Sequence, residues 1–231
     1  MERPLIKKLL GLLVATSALI AVAVQAAPLV SFDTNIALLL NTTPVAGVAA
    51  DTTDPVFEDT VFLTRGPGLT AQAFTGRLGA SGFSTGAEAD AISAGDYLSF
   101  VLTPASGDGF DLGGSSLSIV TQTGANGPLY LGVYTSIGGF EAGDALATLA
   151  LARTGTAQDE VRLDLSSIAG TITAPLEIRF YGYGANLDSG PFSINKLSIV
   201  PVPEPASLAA LLAAAALAGA VSFRRRGRPR A

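Results

Sequence analysis

The chain contains no histidine, no cysteine and no tryptophan. The first two absences exclude Ser-His-Asp and Cys-His catalysis, imidazole or thiolate zinc sites, haem ligation by those groups, and disulfides. The third removes indole platforms for sugars. Charge is scarce as well. Charged residues make up 14% of the chain and hydrophobic residues 48%, against about 25% charged in an ordinary soluble domain. Mean hydropathy is +0.46. Such a balance implies a segment that is membrane-like or removed. At 231 residues, one domain with flanking segments is the expectation.

The little charge present is unevenly placed. Residues 1–26 carry net +2, residues 27–200 net −11, and residues 201–231 net +4. An acidic middle repels phosphates, so no nucleic-acid partner is expected. The two basic ends flank apolar runs, a pattern that belongs to membranes.

At the N-terminus, Lys7-Lys8 precede an uncharged run from Leu9 to Val24. Val24-Gln25-Ala26 then places small residues at −3 and −1 for cleavage after Ala26. Cutting after Ala27 would put Gln25 at −3 and Pro28 at +1, which is unfavourable. A basic start, a short apolar stretch and a small-residue exit define a secretory signal peptide over residues 1–26. Export machinery and signal peptidase are the partners that follow. The body, residues 27–200, is expected outside the cytoplasm.

The C-terminus carries a second apolar run. Ala206 to Phe223 is 18 residues without a charge. At 1.5 Å rise per residue it makes about 27 Å of helix, just enough for a hydrocarbon core of about 30 Å. Half of it is alanine, so it is a weak span. Arg224, Arg225, Arg226, Arg228 and Arg230 follow, and such a cluster stops transfer and stays cytoplasmic. Body outside and tail inside is the one topology on which both ends agree. Immediately before the span stands Pro203-Glu204-Pro205. Its two prolines remove two backbone donors and hold the segment extended, in a form a processing enzyme can grip.

Pro203, Glu204 and Pro205, then an apolar span, then Arg224 to Arg226 at the extreme C-terminus: this order resembles the PEP-CTERM sorting signal of exported bacterial proteins. The resemblance covers residues 201–230. It implies a membrane-embedded protease of the exosortase type as partner, removal of the hydrophobic tail, and a link to exopolysaccharide production. A mature protein without a span parallels other C-terminal signals whose tails are cut off. Cell surface or extracellular location after a transient stay in the inner membrane is the corresponding expectation. A single-span protein that is never cut is the alternative.

Between the two ends, short runs of alternating apolar residues are separated by Gly, Asn, Asp and Pro. The clearest are Tyr97 to Leu102, Ser116 to Gln122, Tyr130 to Thr135, Ala145 to Leu151, Val161 to Leu165, Leu176 to Tyr183 and Phe192 to Val200. Turns such as Asn126-Gly127-Pro128 and Ser189-Gly190-Pro191 lie between them. The expectation is an all-β domain, a sandwich or a barrel. Ala145 to Arg153 is equivocal between helix and strand and is read as strand. Less regular strands are expected over Leu29 to Asp33, Val56 to Thr64 and Leu69 to Thr75. In the best-patterned run, Leu176, Ile178 and Phe180 face one way, and Glu177, Arg179, Tyr181 and Tyr183 the other. Tyr134-Thr135-Ser136 with Gly139-Phe140, Leu163-Asp164-Leu165, the run from Ile178 to Ala185, and Ser193-Ile194-Asn195 resemble the jelly-roll-like bodies often carried by PEP-CTERM proteins. The family commonly has Asp where Asn195 stands, so no role is assigned there.

Candidates for chemistry are few. The nearest acidic pairs are Glu58-Asp59, Glu88 with Asp90, and Asp159-Glu160, none on a recognisable motif. A carboxylate glycosidase needs two acids at a fixed separation in space, which sequence spacing does not supply. Solvated loop acids are the simpler reading. Lys196, the only lysine after signal cleavage, reads as a surface ammonium. Asp51-Thr52-Thr53-Asp54 and Asp108-Gly109-Phe110-Asp111 offer oxygen ligands to calcium but miss the twelve-residue loop pattern; turns explain them better. No catalytic residue, metal or cofactor is therefore assigned. Tyr130, Tyr134, Tyr181 and Tyr183 form an aromatic face for glycan stacking if their strands are neighbours, and otherwise cover the outer surface of a sheet. The leading expectation is an exported, non-enzymatic envelope or matrix protein. A carbohydrate-binding module of the polysaccharide matrix is the alternative.

Overall fold

The computed structural model describes residues 27–39, 44–58, 60–105, 109–158 and 160–202. The signal segment with Ala26, the motif Pro203-Glu204-Pro205, the span 206–223 and the arginine tail lie outside the described residues, as do Asp59, Asp108 and Asp159. Among the described residues no helix is long and apolar enough to cross a membrane.

Thirteen strands are assigned in the described chain: β1 (Val30–Ser31), β2 (Gly47–Ala49), β3 (Thr52–Thr53), β4 (Phe62–Arg65), β5 (Thr70–Phe74), β6 (Arg77–Ser81), β7 (Tyr97–Leu102), β8 (Ser115–Thr123), β9 (Tyr130–Thr135), β10 (Ala147–Ala150), β11 (Val161–Asp164), β12 (Leu176–Tyr183) and β13 (Phe192–Pro201). Two short helices, α1 (Asp33–Ala37) and α2 (Glu88–Ala94), interrupt them. All registered pairings are antiparallel. One sheet runs β11-β8-β13-β1-β3, with β6 also on β13 and β5 on β6. The second runs β10-β9-β12-β7-β4-β2. The protein is an all-β sandwich. From β6 onward the two orders are β6-β13-β8-β11 and β7-β12-β9-β10, the interleaving of a jelly roll.

Alternation explains the layers. On the first sheet Leu78, Ala80, Leu117, Ile119, Phe192, Ile194, Leu197 and Ile199 are buried. They meet Leu98, Phe100, Leu102, Leu131, Val133, Leu176, Ile178 and Phe180 of the second in one core. Phe100 and Phe180 approach at 6.1 Å between ring centroids, and Phe83 and Phe192 at 5.5 Å edge-on.

Strand β13 shows how sequence sets register. Its inward residues are even-numbered at Phe192 and Ile194 but odd-numbered at Leu197 and Ile199. An uninterrupted strand would turn one of these pairs to solvent. A register shift between Ile194 and Lys196 against β8 absorbs the extra residue and keeps both pairs inside. The Leu197 N–H donates to the Asp33 carboxylate at 3.0 Å, so the irregular stretch leaves no orphan donor there.

The expected strands at Tyr97–Leu102, Tyr130–Thr135 and Leu176–Tyr183 coincide with β7, β9 and β12, and the equivocal Ala145 segment is strand at β10. The N-terminal third differs. Only Val30–Ser31 of the first expected strand pairs before Asp33 opens α1. The strand expected over Val56 to Thr64 shrinks to Phe62–Arg65, because Asp54 accepts the Val56 N–H in a turn. The strand β6 and helix α2 went unforeseen. Helix α2 has only seven residues, too few for a periodic signal. It ends at Gly95, whose φ of 76° is left-handed and suits glycine.

Truncating Phe180 to Ala opens a cavity between the sheets and is expected to cost about 3–5 kcal/mol. Ile137→Ala, at a side chain 59% exposed, is expected to stay within about 0.5 kcal/mol. Urea unfolding of both variants checks the contrast.

Candidate functional site

The expected aromatic face lies on the outer side of the β10-β9-β12-β7-β4-β2 sheet. Strands β9 and β12 are neighbours, with Tyr183 opposite Tyr130 and Arg179 opposite Tyr134. All four tyrosines therefore share one surface, as their parity requires. They do not share one environment. Tyr134 is 0% and Tyr181 1% exposed, so neither offers a ring to a ligand. Both pack in a small second core with Ala91 and Ile92 of α2 and with Phe140. The open four-tyrosine face is thereby corrected to a buried pair and an accessible pair. Sequence alternation placed the rings outside the sheet. It did not reveal that α2 and the segment carrying Phe140 lie over them.

The covered half is tightly organised. The Tyr134 hydroxyl donates to the Glu88 carboxylate of α2. Burial, then that bond, holds the Tyr134 phenol well above its usual range. Gly132 makes room: a Cβ there would stand 2.7 Å from the Tyr134 ring. Tyr181 meets Tyr134 at 5.2 Å and Tyr97 at 5.1 Å, both edge-on. The Arg179 guanidinium lies 4.4 Å from the Tyr97 ring centre and 3.9 Å from that of Phe140. It donates to Tyr181 at 3.0 Å and to Glu177 at 2.7 Å. A planar cation against two rings, with two of its three nitrogens bonded and its Nε buried without a partner, is a packing element rather than an open charge.

The accessible half is Tyr130 and Tyr183. Their rings stack at 5.4 Å with 28° between planes. Tyr130 is 39% exposed, beside Leu129 at 37%. Arg153 borders them, donating to Asn186 at 2.8 Å and to the Gly184 carbonyl. Both tyrosines sit where β9 begins and β12 ends. Phe192 and Thr123 are paired at this end, whereas Pro201 and Ser115 are paired at the other. Leu29 bonds to the Ile199 carbonyl at 2.8 Å and Val202 to that of Gly114 at 2.7 Å. The two ends of the domain thus leave together, away from the tyrosine pair.

The acidic candidates are scattered. Glu88 serves Tyr134, Asp90 accepts the Ala87 N–H at 2.8 Å, and Glu160 pairs with Arg162 at 2.6 Å. Glu58 is exposed on the far side of β7. Asp54 and Asp111 accept turn N–H groups of Val56 and Gly113, and Asp51 accepts that of Asn35. No group of three or more potential ligands that could hold a metal occurs among the described residues. Lys196 is exposed. Asn195 donates to Gln122 at 3.4 Å and accepts from Ser193 at 3.4 Å.

One buried acid escaped sequence reasoning. Asp96 follows the Gly95 cap and is 3% exposed. Desolvation pushes its carboxyl up to about 6, against a bond from the Ser84 N–H and with added repulsion from Asp188.

No protein-family model and no curated protein matches this chain. Among solved structures, a family 29 carbohydrate-binding module is 13% identical, with a TM-score of 0.37 over 80% of this chain and 99% of that one. The xylan-binding module CBM15 is 10% identical, with a TM-score of 0.28 over 78% of this chain and 94% of that one. The glycoside hydrolase domain of Endo-D from Streptococcus pneumoniae R6 is 18% identical, with a TM-score of 0.33 over 73% of this chain and 27% of that one. At such TM-scores these likenesses assign neither ligand nor site to this chain.

The Asp96 shift has a definite sign. Between about pH 4 and 6 the unfolded chain has released a proton that the folded chain still holds, so stability falls as pH rises. Asp96→Asn is expected to flatten that slope and to stabilise the protein at pH 7 by on the order of 2 kcal/mol. Urea unfolding at pH 4.5 and pH 7 measures both effects.

Proposed function

We propose that the chain is an exported, non-enzymatic protein of the bacterial envelope or extracellular matrix. Residues 206–223 hold it in the inner membrane with the sandwich outside and Arg224, Arg225, Arg226, Arg228 and Arg230 inside. An exosortase-type protease then cuts near Pro203-Glu204-Pro205 and frees the body. The observation that carries this reading is the order of the C-terminal segment: extended proline motif, apolar run, arginine cluster. Its basic end and the basic start of the N-terminal leader favour the same orientation. The sandwich supports the reading in one further respect. Among the described residues the last strand ends at Pro201 and the Val202 N–H donates to the Gly114 carbonyl, so the sheets as described are built from residues that precede the motif.

A non-catalytic role is supported by the duties of the acids. Glu88, Asp90 and Glu160 each hold a structural partner.

A second reading, a carbohydrate-binding sandwich, is favoured by one observation: the exposed Tyr130 ring stacked on the partly buried Tyr183. Aromatic rings of this kind take the C–H face of a sugar, while their hydroxyls stay wet. The pair lies at the end of the sandwich away from Leu29 and Val202, where a polysaccharide has access while the body is tethered.

Mass spectrometry of the mature termini in the native host tests the first reading. The expected form starts at Ala27 and lacks residues 206–231; an extracellular form that retains them overturns it. For the second, Tyr130→Ala/Tyr183→Ala is expected to weaken binding on a glycan array at least tenfold (about 1.4 kcal/mol). Tyr181→Ala is expected instead to act through stability, because its ring is buried.

A further inference from the structure

The same outer face holds a second feature, away from the tyrosines. Strands β4 and β7 pair through Thr64↔Ser99 and Arg65↔Leu98. Two residues beyond the first pair, Phe62 and Val101 stand on the outer side, 54% and 42% exposed. Their inward neighbours Leu63, Phe100 and Leu102 fill the core, so parity forces Phe62 outward. An aromatic ring and an aliphatic group thus stand side by side in solvent on a part of this face that lies apart from α2, Phe140 and the tyrosine pair.

The two side chains border a groove of about 350 Å³. Its remaining polar lining is Thr60, Thr64, Ser99, Thr103 and Glu58. That volume is within the range of small-ligand sites. The composition narrows the ligand. Four hydroxyl side chains and one carboxylate offer donors and acceptors to hydroxyl groups, and the Phe62 ring offers a stacking face. No cation is among the lining residues. Glu177 stands opposite Val101 on the adjoining strand, and residues 27–200 carry net −11. Anionic chains are repelled by that field. An apolar peptide would bury the hydroxyl-lined floor against groups that cannot hydrogen-bond to it.

We propose that this groove binds a neutral polysaccharide chain, with the Phe62 ring stacked on a sugar face and the Thr64, Ser99, Thr103 and Glu58 side chains bonded to its hydroxyls. The assignment rests on the carbohydrate-binding reading and adds a second contact site to the one at Tyr130 and Tyr183.

Affinity electrophoresis of the full-length chain in mild detergent tests it, with xylan or galactomannan in the gel and polygalacturonate as the anionic comparison. Retardation is expected in the neutral gels and not in polygalacturonate. Phe62→Ala is expected to weaken it at least tenfold, and Phe62→Tyr to preserve it. Thermal melting of both variants is expected to match the parent, since Phe62 is on the surface. Unchanged retardation of Phe62→Ala, or retention by polygalacturonate alone, overturns the groove assignment. If Tyr130→Ala/Tyr183→Ala abolishes retardation while Phe62→Ala does not, sugar binding stands and the groove is not its site. Absence of retardation in every neutral gel removes both.

Discussion

The central position of β13 is the constraint on which the rest of the molecule depends. This strand comes last in the domain, yet it pairs with β8 along one side and with β6 and β1 along the other. The first sheet is therefore incomplete until residues 192–201 are in place. Pairing of Val30 with Ile199 then brings the start of the domain to its finish. Both ends emerge together, and the opposite end is left for the loops between β8 and β9 and between β12 and β13. Contacts this distant in sequence carry a large closure entropy. They are held by the apolar rows of Phe192, Ile194, Leu197 and Ile199, which the irregularity at Asn195 and Lys196 keeps in phase with the core.

The second sheet divides its outer face by what lies over it. Helix α2 and Phe140 cover β9 and β12 near their middle, so Tyr134, Tyr181 and Arg179 act as a second, smaller core. The uncovered corners expose Tyr130 with Tyr183 at one end and Phe62 with Val101 at the other. The aromatic inventory is modest, but it is segregated. Buried rings hold the cover in place through Glu88 and the Arg179 stack, and exposed rings stand where the cover ends.

Much of this was legible in the sequence. From Tyr97 onward, alternation located β7, β9 and β12 to the residue, because each strand buries one face of a thick core and an error of one position would expose it. The faces of Leu176, Ile178 and Phe180 against Glu177, Arg179 and Tyr181 were equally readable. Before Tyr97 the signal was weak. Strands there are two to five residues long, which is shorter than the window over which a period of two is distinguishable. Asp54 diverts the chain into a turn by a local bond to the Val56 N–H, and the helix that opens at Asp33 is tied to Leu197, 164 residues away, neither of which composition reveals. The Arg77–Ser81 strand hides behind Gly79 and Ala80, whose small side chains carry little hydropathy. Asp96 gave no warning either, since an acid next to a helix-capping glycine reads as a loop residue.

By itself the sequence determined what chemistry is impossible here, that the body is built of strands, and which side of each clear strand is apolar. These are local properties: residue type, charge and a period of two. Only the tertiary structure decided which outward rings are open. That depends on a seven-residue helix and a loop laid across the sheet from elsewhere in the chain. Parity fixes the side on which a side chain leaves the backbone; what then lies above it is set by packing between segments far apart in sequence.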